Sequence, residues 1–306
     1  MTPIDANFGS TATNRKAILL MCLGALLLVM NDTSAKWLVD RYDPFQITFV
    51  RSVITVPMIV TVILMKDGFK GLSTKRFAPH ALRGLLVLAA TFCFFNALKV
   101  LSLADATALF FAAPIFITAL SVPLLGDKVG PRRWSAVLVG FIGVMIIVQP
   151  SAETFQPASL FAVATALVYA FIMISSRWLH SDDTMRTVVF YLSAVPAVYS
   201  SFVLFGEWPV ITATDFAVFV AMAVFWSFGV AVVSEAFRTA PAAGVAPFDY
   251  SALIWASIVG WLVWGTIPDM TTYLGAAIIA ASGIYILLRQ EKLKSRKSSR
   301  SRTEIS

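Results

Sequence analysis

Asp32 and Lys36 stand four residues apart inside one apolar run, a spacing that places both on one face of a helix where they can pair. Charges are costly in such a run, so the two read either as a charged locus beside a solute path or as a self-neutralising pair. Asn31 adds a donor and an acceptor next to Asp32. Arg51 lies five residues into the next apolar run, too deep for a guanidinium without a partner, and the short connection makes Asp32 its natural candidate. Asp249 follows Pro247, whose missing N–H frees a backbone carbonyl. An acid beside opened backbone suits a proton, a cation, or a substrate amine or ring nitrogen, and it equally suits the positive end of the helix it begins. Glu235 and Arg238, three apart, suit simple pairing. Asn96 sits well inside an apolar run, and Tyr169, Trp226, Tyr250 and Trp255 are aromatics that would stack on a planar or cationic solute if they shared a cavity. The candidate substrate-binding residues are therefore Asn31, Asp32, Arg51, Asn96, Tyr169, Trp226, Asp249 and Tyr250.

Other chemistries find little support. Cys22 and Cys93 fall within apolar runs at no metal-ligand spacing, and His80 and His180 fall in predicted loops, away from the interior of any apolar run. No catalytic cluster, metal site or cofactor is expected, and the lack of a Walker-type loop argues against direct use of ATP.

The elements that must position these residues are membrane helices. Of 306 residues, 58% are hydrophobic and 13% charged, about half the charge of a soluble domain. At about 20 apolar residues per crossing, spans are predicted at 17–38, 46–65, 82–101, 106–125, 132–149, 157–176, 187–206, 215–236, 244–264 and 272–288. Arg15-Lys16 before the first run resemble a signal peptide, but the run is long and lacks a small-residue cleavage site, so a retained helix is expected. Twenty of the 24 Lys and Arg residues lie at the two chain ends and in the loops after spans 2, 4, 6 and 8. That asymmetry predicts that both termini are cytoplasmic, and it accounts for the net charge of +7 without a nucleic-acid partner. The tail 289–306 is expected to be disordered and held near anionic lipid headgroups.

Ser34-Ala35-Lys36-Trp37-Leu38 recurs as Ser175-Ser176-Arg177-Trp178-Leu179, with Ser175 at an offset of 141 from Ser34. Gly143 and Gly283 repeat at nearly the same spacing, which also aligns Phe110 with Tyr250, and the glycines suit close packing of spans 5 and 10. The chain thus reads as one five-helix unit written twice, 17–149 and 157–288, after an N-terminal tail 1–16. An odd number of crossings per unit turns the second upside down, which is the architecture of secondary transporters, with the site between the halves. Lys36 and Arg177, at matched positions, can extend to water.

Asn31-Asp32 with Lys36, Phe49-x-Arg51, Leu103-Ala104-Asp105-Ala106-Thr107-Ala108 with Pro114, Arg133-Trp134 through Gly143, Glu235-Ala236-Phe237-Arg238, Ala246-Pro247-Phe248-Asp249-Tyr250 and Pro268-Asp269 carry a resemblance across the membrane portion. The chain resembles the drug/metabolite transporter superfamily with two EamA-type repeats, and within it the branch of bacterial riboflavin and S-adenosylmethionine uptake transporters. Gly126-Asp127 departs from the Gly-Glu common in first repeats but keeps the carboxylate. The resemblance implies an all-α polytopic protein of ten transmembrane helices in the cell inner membrane. It implies a carrier for a small-molecule substrate, riboflavin or a similar aromatic or nucleoside-like compound; without a Walker-type loop, the energy is expected from the substrate gradient, a proton or exchange. Alternatives are an exporter of amino acids, amines or drugs, S-adenosylmethionine uptake, and a structural or sensory membrane protein.

Overall fold

The computed structural model describes residues 11–127, 129–150, 155–175, 184–240 and 242–303, with side chains omitted for 11–14, 185, 242–243 and 290–303. The second copy of the sequence repeat beyond Ser175, with Arg177, and His180 lie outside these residues. The described backbone is helical with no strand: α1 (Thr11–Leu38), α2 (Pro44–Lys66), α3 (Phe77–Val100), α4 (Leu103–Phe110), α5 (Ala113–Leu125), α6 (Pro131–Val148), α7 (Ala158–Ser175), α8 (Met185–Ser200), α9 (Ala213–Thr239), α10 (Ala242–Val245), α11 (Ser251–Trp264) and α12 (Met270–Thr303). These form ten stretches long and apolar enough to cross a membrane, matching the ten expected runs.

Local chemistry explains the boundaries. Pro44 in the first turn of α2 follows Asp43, which with Gln46 forms a capping box, and Thr212 with Asp215 does the same for α9. Gly126 and Gly265 end α5 and α11 at φ values of 67° and 68°, a left-handed conformation that a side chain would disfavour. Both ends carry the same pair of closing bonds, Gly126 N to Val122 O with Asp127 N to Ser121 O, and Gly265 N to Trp261 O with Thr266 N to Gly260 O.

Four expectations need correcting. Span 3 begins at Phe77, not 82, because Pro79 is tolerated in a first turn; His80 is therefore not in a loop but buried in α3, stacked on Tyr191 at 4.6 Å. Span 4 is broken at Phe111-Ala112 into α4 and α5, where Pro114 has no N–H to give the Phe110 carbonyl. Span 9 opens as a tight 3-10 turn, Ala246–Tyr250, before α11. The basic tail is not an unfolded strand of chain: α12 runs on to Thr303, since after Gly283 the sequence holds strong helix formers and no proline.

The dominant pairings are α1 with α9, α3 with α7, α2 with α8 and α6 with α12. Exchanging spans 1–5 for spans 6–10 leaves that set unchanged. Gly143 and Gly275 bring α6 and α12 into backbone contact: a Cβ on Gly143 would lie 2.8 Å from the Gly275 carbonyl oxygen, and one on Gly275 would lie 2.7 Å from that of Gly143. The expected packing of spans 5 and 10 is met at Gly143, whose partner is Gly275, whereas Gly283 faces Tyr250 and Pro114 of spans 9 and 4 instead. Large apolar side chains such as Leu138, Ile142, Leu262 and Leu274 face outward, as a lipid-facing surface requires.

Polar latches tie α2 to the second half at both ends. At one end Arg41 and Tyr42 reach Asp215 at 2.8 and 3.0 Å, and Gln46 donates to the Glu207 carbonyl at 2.9 Å. At the other Arg186 grips Asp67 with two bonds of 2.5 and 2.6 Å, Thr187 donates to the Gly71 carbonyl and Tyr191 to that of Leu72. The hydrogen bonds from Arg186 hold the Asp67 carboxyl below the ordinary aspartate value of 3.8. A carboxyl depressed in the folded state contributes stability above its unfolded pKa and loses it as pH falls through the folded one. The melting temperature of the protein should therefore exceed that of Asp67→Asn by a constant margin at neutral pH, and the margin should vanish in acid below 3.8. A margin independent of pH down to that range would show that the bidentate pair does not form.

Candidate functional site

Two adjoining clusters gather seven of the eight candidate residues. In the first, α1 and α9 run antiparallel, with Gly24 against Val233 and Gly229 against Leu28, and the same register sets Asn31 level with Trp226. Asn31 Nδ2 donates to Asp32 Oδ1 at 2.9 Å. Arg51 of α2 is 8% exposed and lies over the Trp226 ring at 5.8 Å. Asp32 and Arg51 feel each other's charge, yet no ion pair within 4.0 Å joins either to a partner among the described residues. The expected direct pair is thus a separated one, the two groups near enough to feel each other's charge without touching.

Lys36 differs from both expectations for it. It neither neutralises Asp32 nor extends to water: its Nζ donates to the Leu98 and Leu101 carbonyls at 2.8 and 2.7 Å and lies 5.6 Å from the Trp264 ring centroid. These carbonyls end α3, where free acceptors and the negative end of the helix favour a cation.

The second cluster forms where the two interrupted spans meet. The Phe111 ring, at the break between α4 and α5, packs on Tyr250 at 4.6 Å, and Phe110 packs on Tyr169 of α7 at 5.1 Å and on Phe94 of α3 at 6.2 Å. Phe110 and Tyr250, aligned by the internal repeat, are thus both members of one aromatic chain. The Tyr250 hydroxyl sits against the open face of Gly283. Asp249 and Arg83 both lie within electrostatic range of Tyr169. The 3-10 turn that carries Asp249 and Tyr250 also packs against α1, which makes the two clusters neighbours.

Several buried polar atoms here have no hydrogen-bond partner among the described residues: Asn31 Oδ1, Thr55 Oγ1, Arg83 Nε, the Tyr250 hydroxyl, Ser251 Oγ and Trp255 Nε1. Each such atom costs about 1–3 kcal/mol unless something supplies its bond. All belong to elements that carry the two clusters, so a solute or ordered water entering between them would satisfy several at once.

Asn96 does not join them. Its Nδ2 turns back to the Phe92 carbonyl of its own helix at 2.8 Å, and it lines a separate surface groove with Lys99, Gln156, Pro157 and Phe161. Thirteen residues along α3 put it about 20 Å from Arg83. Glu235 and Arg238 pair at 3.7 Å with both side chains largely exposed, an arrangement of little energetic weight.

Arg83 is the residue that sequence reasoning missed. With the span placed at 82–101 it counted as a topological charge at a helix edge; with the helix starting at Phe77 it is two turns in and 6% exposed. Pro79, a first-turn residue, was the available signal. The stripe Thr48, Arg51, Ser52 and Thr55, all buried on one face of α2, was also readable from its spacing.

Comparison with known proteins agrees with this architecture. The signature of the EamA-like transporter family matches residues 15–149. The chain is 28% identical over 271 residues to the S-adenosylmethionine uptake transporter of Rickettsia bellii, covering 87% of this chain and 91% of that protein. It is 31% identical over 253 residues to the riboflavin transporter of Vibrio cholerae, covering 82% and 85%. A solved crystal structure of 19% identity superposes with a TM-score of 0.58 over 90% of this chain and 98% of its own, which supports the fold.

Proposed function

Because this chain belongs to the EamA-like transporter family, we propose that it is a secondary carrier of the cell inner membrane that takes up a planar heteroaromatic metabolite, riboflavin or a close relative, by alternating access. The two five-helix units, 17–149 and 157–288, would be inverted repeats with both termini cytoplasmic. In favour of this are the pairing pattern that survives exchange of the halves, the matched closing bonds at Gly126 and Gly265, and the concentration of Lys and Arg in alternate loops. A proton or solute exchange would drive transport, with no cofactor.

The observation that carries the reading is the meeting of two interrupted spans, one from each half, through Phe111 and Tyr250, with unpartnered polar atoms around them. Interrupted helices at matched positions are where such carriers hold their substrates. The flat rings of Phe110, Phe111, Tyr169 and Tyr250 suit a flat solute, while the unpartnered donors suit the carbonyl edge of an isoalloxazine. A second reading, S-adenosylmethionine, draws on Asp32 and Asp249, neither within 4.0 Å of a cation among the described residues, which suit a sulfonium or ammonium group.

Purified protein should quench riboflavin fluorescence saturably and exchange labelled riboflavin in proteoliposomes. Tyr250→Ala or Trp226→Ala should weaken binding about tenfold, the value of one good ring contact. Counterflow of S-adenosylmethionine without riboflavin binding would select the second reading. Absence of saturable counterflow for either, and for amino acids and amines, would favour a structural or sensory protein.

A further inference from the structure

Arg83 asks for an explanation that packing does not provide. Arg83 is 6% exposed in α3, makes no hydrogen bond with any described residue, and has an Nε shut in without a partner among them. No carboxylate lies within 4.0 Å among the described residues. A buried arginine kept only for stability needs a carboxylate or carbonyls, and even the more exposed Arg41, Arg186 and Lys36 find them in this protein. Arg83 instead shares its surroundings with Tyr169, the ring that packs on Phe110 at the break of span 4, and Tyr169 in turn lies within electrostatic range of Asp249.

We propose that Arg83 is a substrate-binding residue: its planar guanidinium takes the acceptor edge of the transported solute, a carboxylate or a pair of ring carbonyls, while the solute's flat body lies along Tyr169 and Phe110. Arginine suits this because its donors form a fixed fork that matches two oxygens in one plane. The isoalloxazine dione and the carboxylate of S-adenosylmethionine present that same edge, so the proposal rests on the carrier reading but not on the choice between the two solutes. Arg83 and Arg51 are held differently: Arg51 is met by the Trp226 face and the field of Asp32, whereas Arg83 has no such partner among the described residues.

Two measurements test it. In proteoliposomes, Arg83→Gln should raise the half-saturating concentration of whichever solute is carried by about tenfold or more with maximal rate little changed, and Arg83→Lys should fall between, since a point charge replaces a fork. An unchanged half-saturating concentration in folded Arg83→Gln would overturn the proposal. Independently of any solute, Arg83→Cys placed in a Cys22→Ser, Cys93→Ser background should react in folded protein with a small anionic thiosulfonate reagent. Reaction should slow at least several-fold when the carried solute is added. If neither riboflavin nor S-adenosylmethionine is carried, the substrate assignment above fails while a reactive position 83 still upholds its place on the path. A thiol that reacts only after denaturation would sink the proposal whatever the solute.

Discussion

Arg51→Gln should lose at least about a hundredfold in transport and should also lower stability, and the two losses should separate on a second substitution. Arg51 is 8% exposed, interacts with the Trp226 face at 5.8 Å, and is coupled electrostatically to Asp32. Removing the guanidinium leaves Asp32 without its nearby opposite charge inside the bundle, at a cost of up to about 3 kcal/mol, the low end for a broken buried pair because the two are not in direct contact and the carboxyl can take up a proton. Asp32→Asn with Arg51→Gln removes both charges and should recover most of the melting temperature. Transport should not recover, since charge-assisted bonds to a solute, about 1.5–3 kcal/mol each, have lost their donor and acceptor. A double variant with wild-type uptake would reduce the pair to a structural role.

Gly143→Leu should cost about 3 kcal/mol or more and shift the melting temperature down by several degrees, the upper range for overpacking. Its Cβ would meet the Gly275 carbonyl oxygen at 2.8 Å, Ile279 Cγ1 at 2.9 Å and Ile278 Cγ2 at 3.1 Å, and the first of these is backbone that cannot rotate away. The helices must part, which strips contact along the whole α6 and α12 seam. Ile142→Leu, one residue away and 57% exposed on the lipid-facing side, should have almost no effect. Equal melting temperatures for the two variants would mean that the α6 and α12 backbones do not touch at Gly143.

Sequence alone determined a good deal of this protein: the ten apolar helices, the charge asymmetry of their connections, the residues repeated at an offset near 141, and the placement of Asp32, Arg51, Tyr169, Trp226, Asp249 and Tyr250 within the apolar runs. These follow from hydropathy summed over a window, from residue counts and from spacing, all local quantities along the chain. Only the tertiary structure decided how those residues meet. Lys36 could pair with Asp32 by spacing, and it is the end of α3, distant in sequence, that supplies better acceptors. Asn96 and Arg83 share one helix, but one lies at a surface groove and the other within electrostatic range of Tyr169 on α7. The break at Phe111-Ala112 gains its meaning from the Tyr250 ring against it, contributed by a span far along the chain. Depth in a membrane can be counted from the sequence because lipid makes the same demand of every helix; a binding site depends on which helix faces which, and that is settled by shape and close packing between segments.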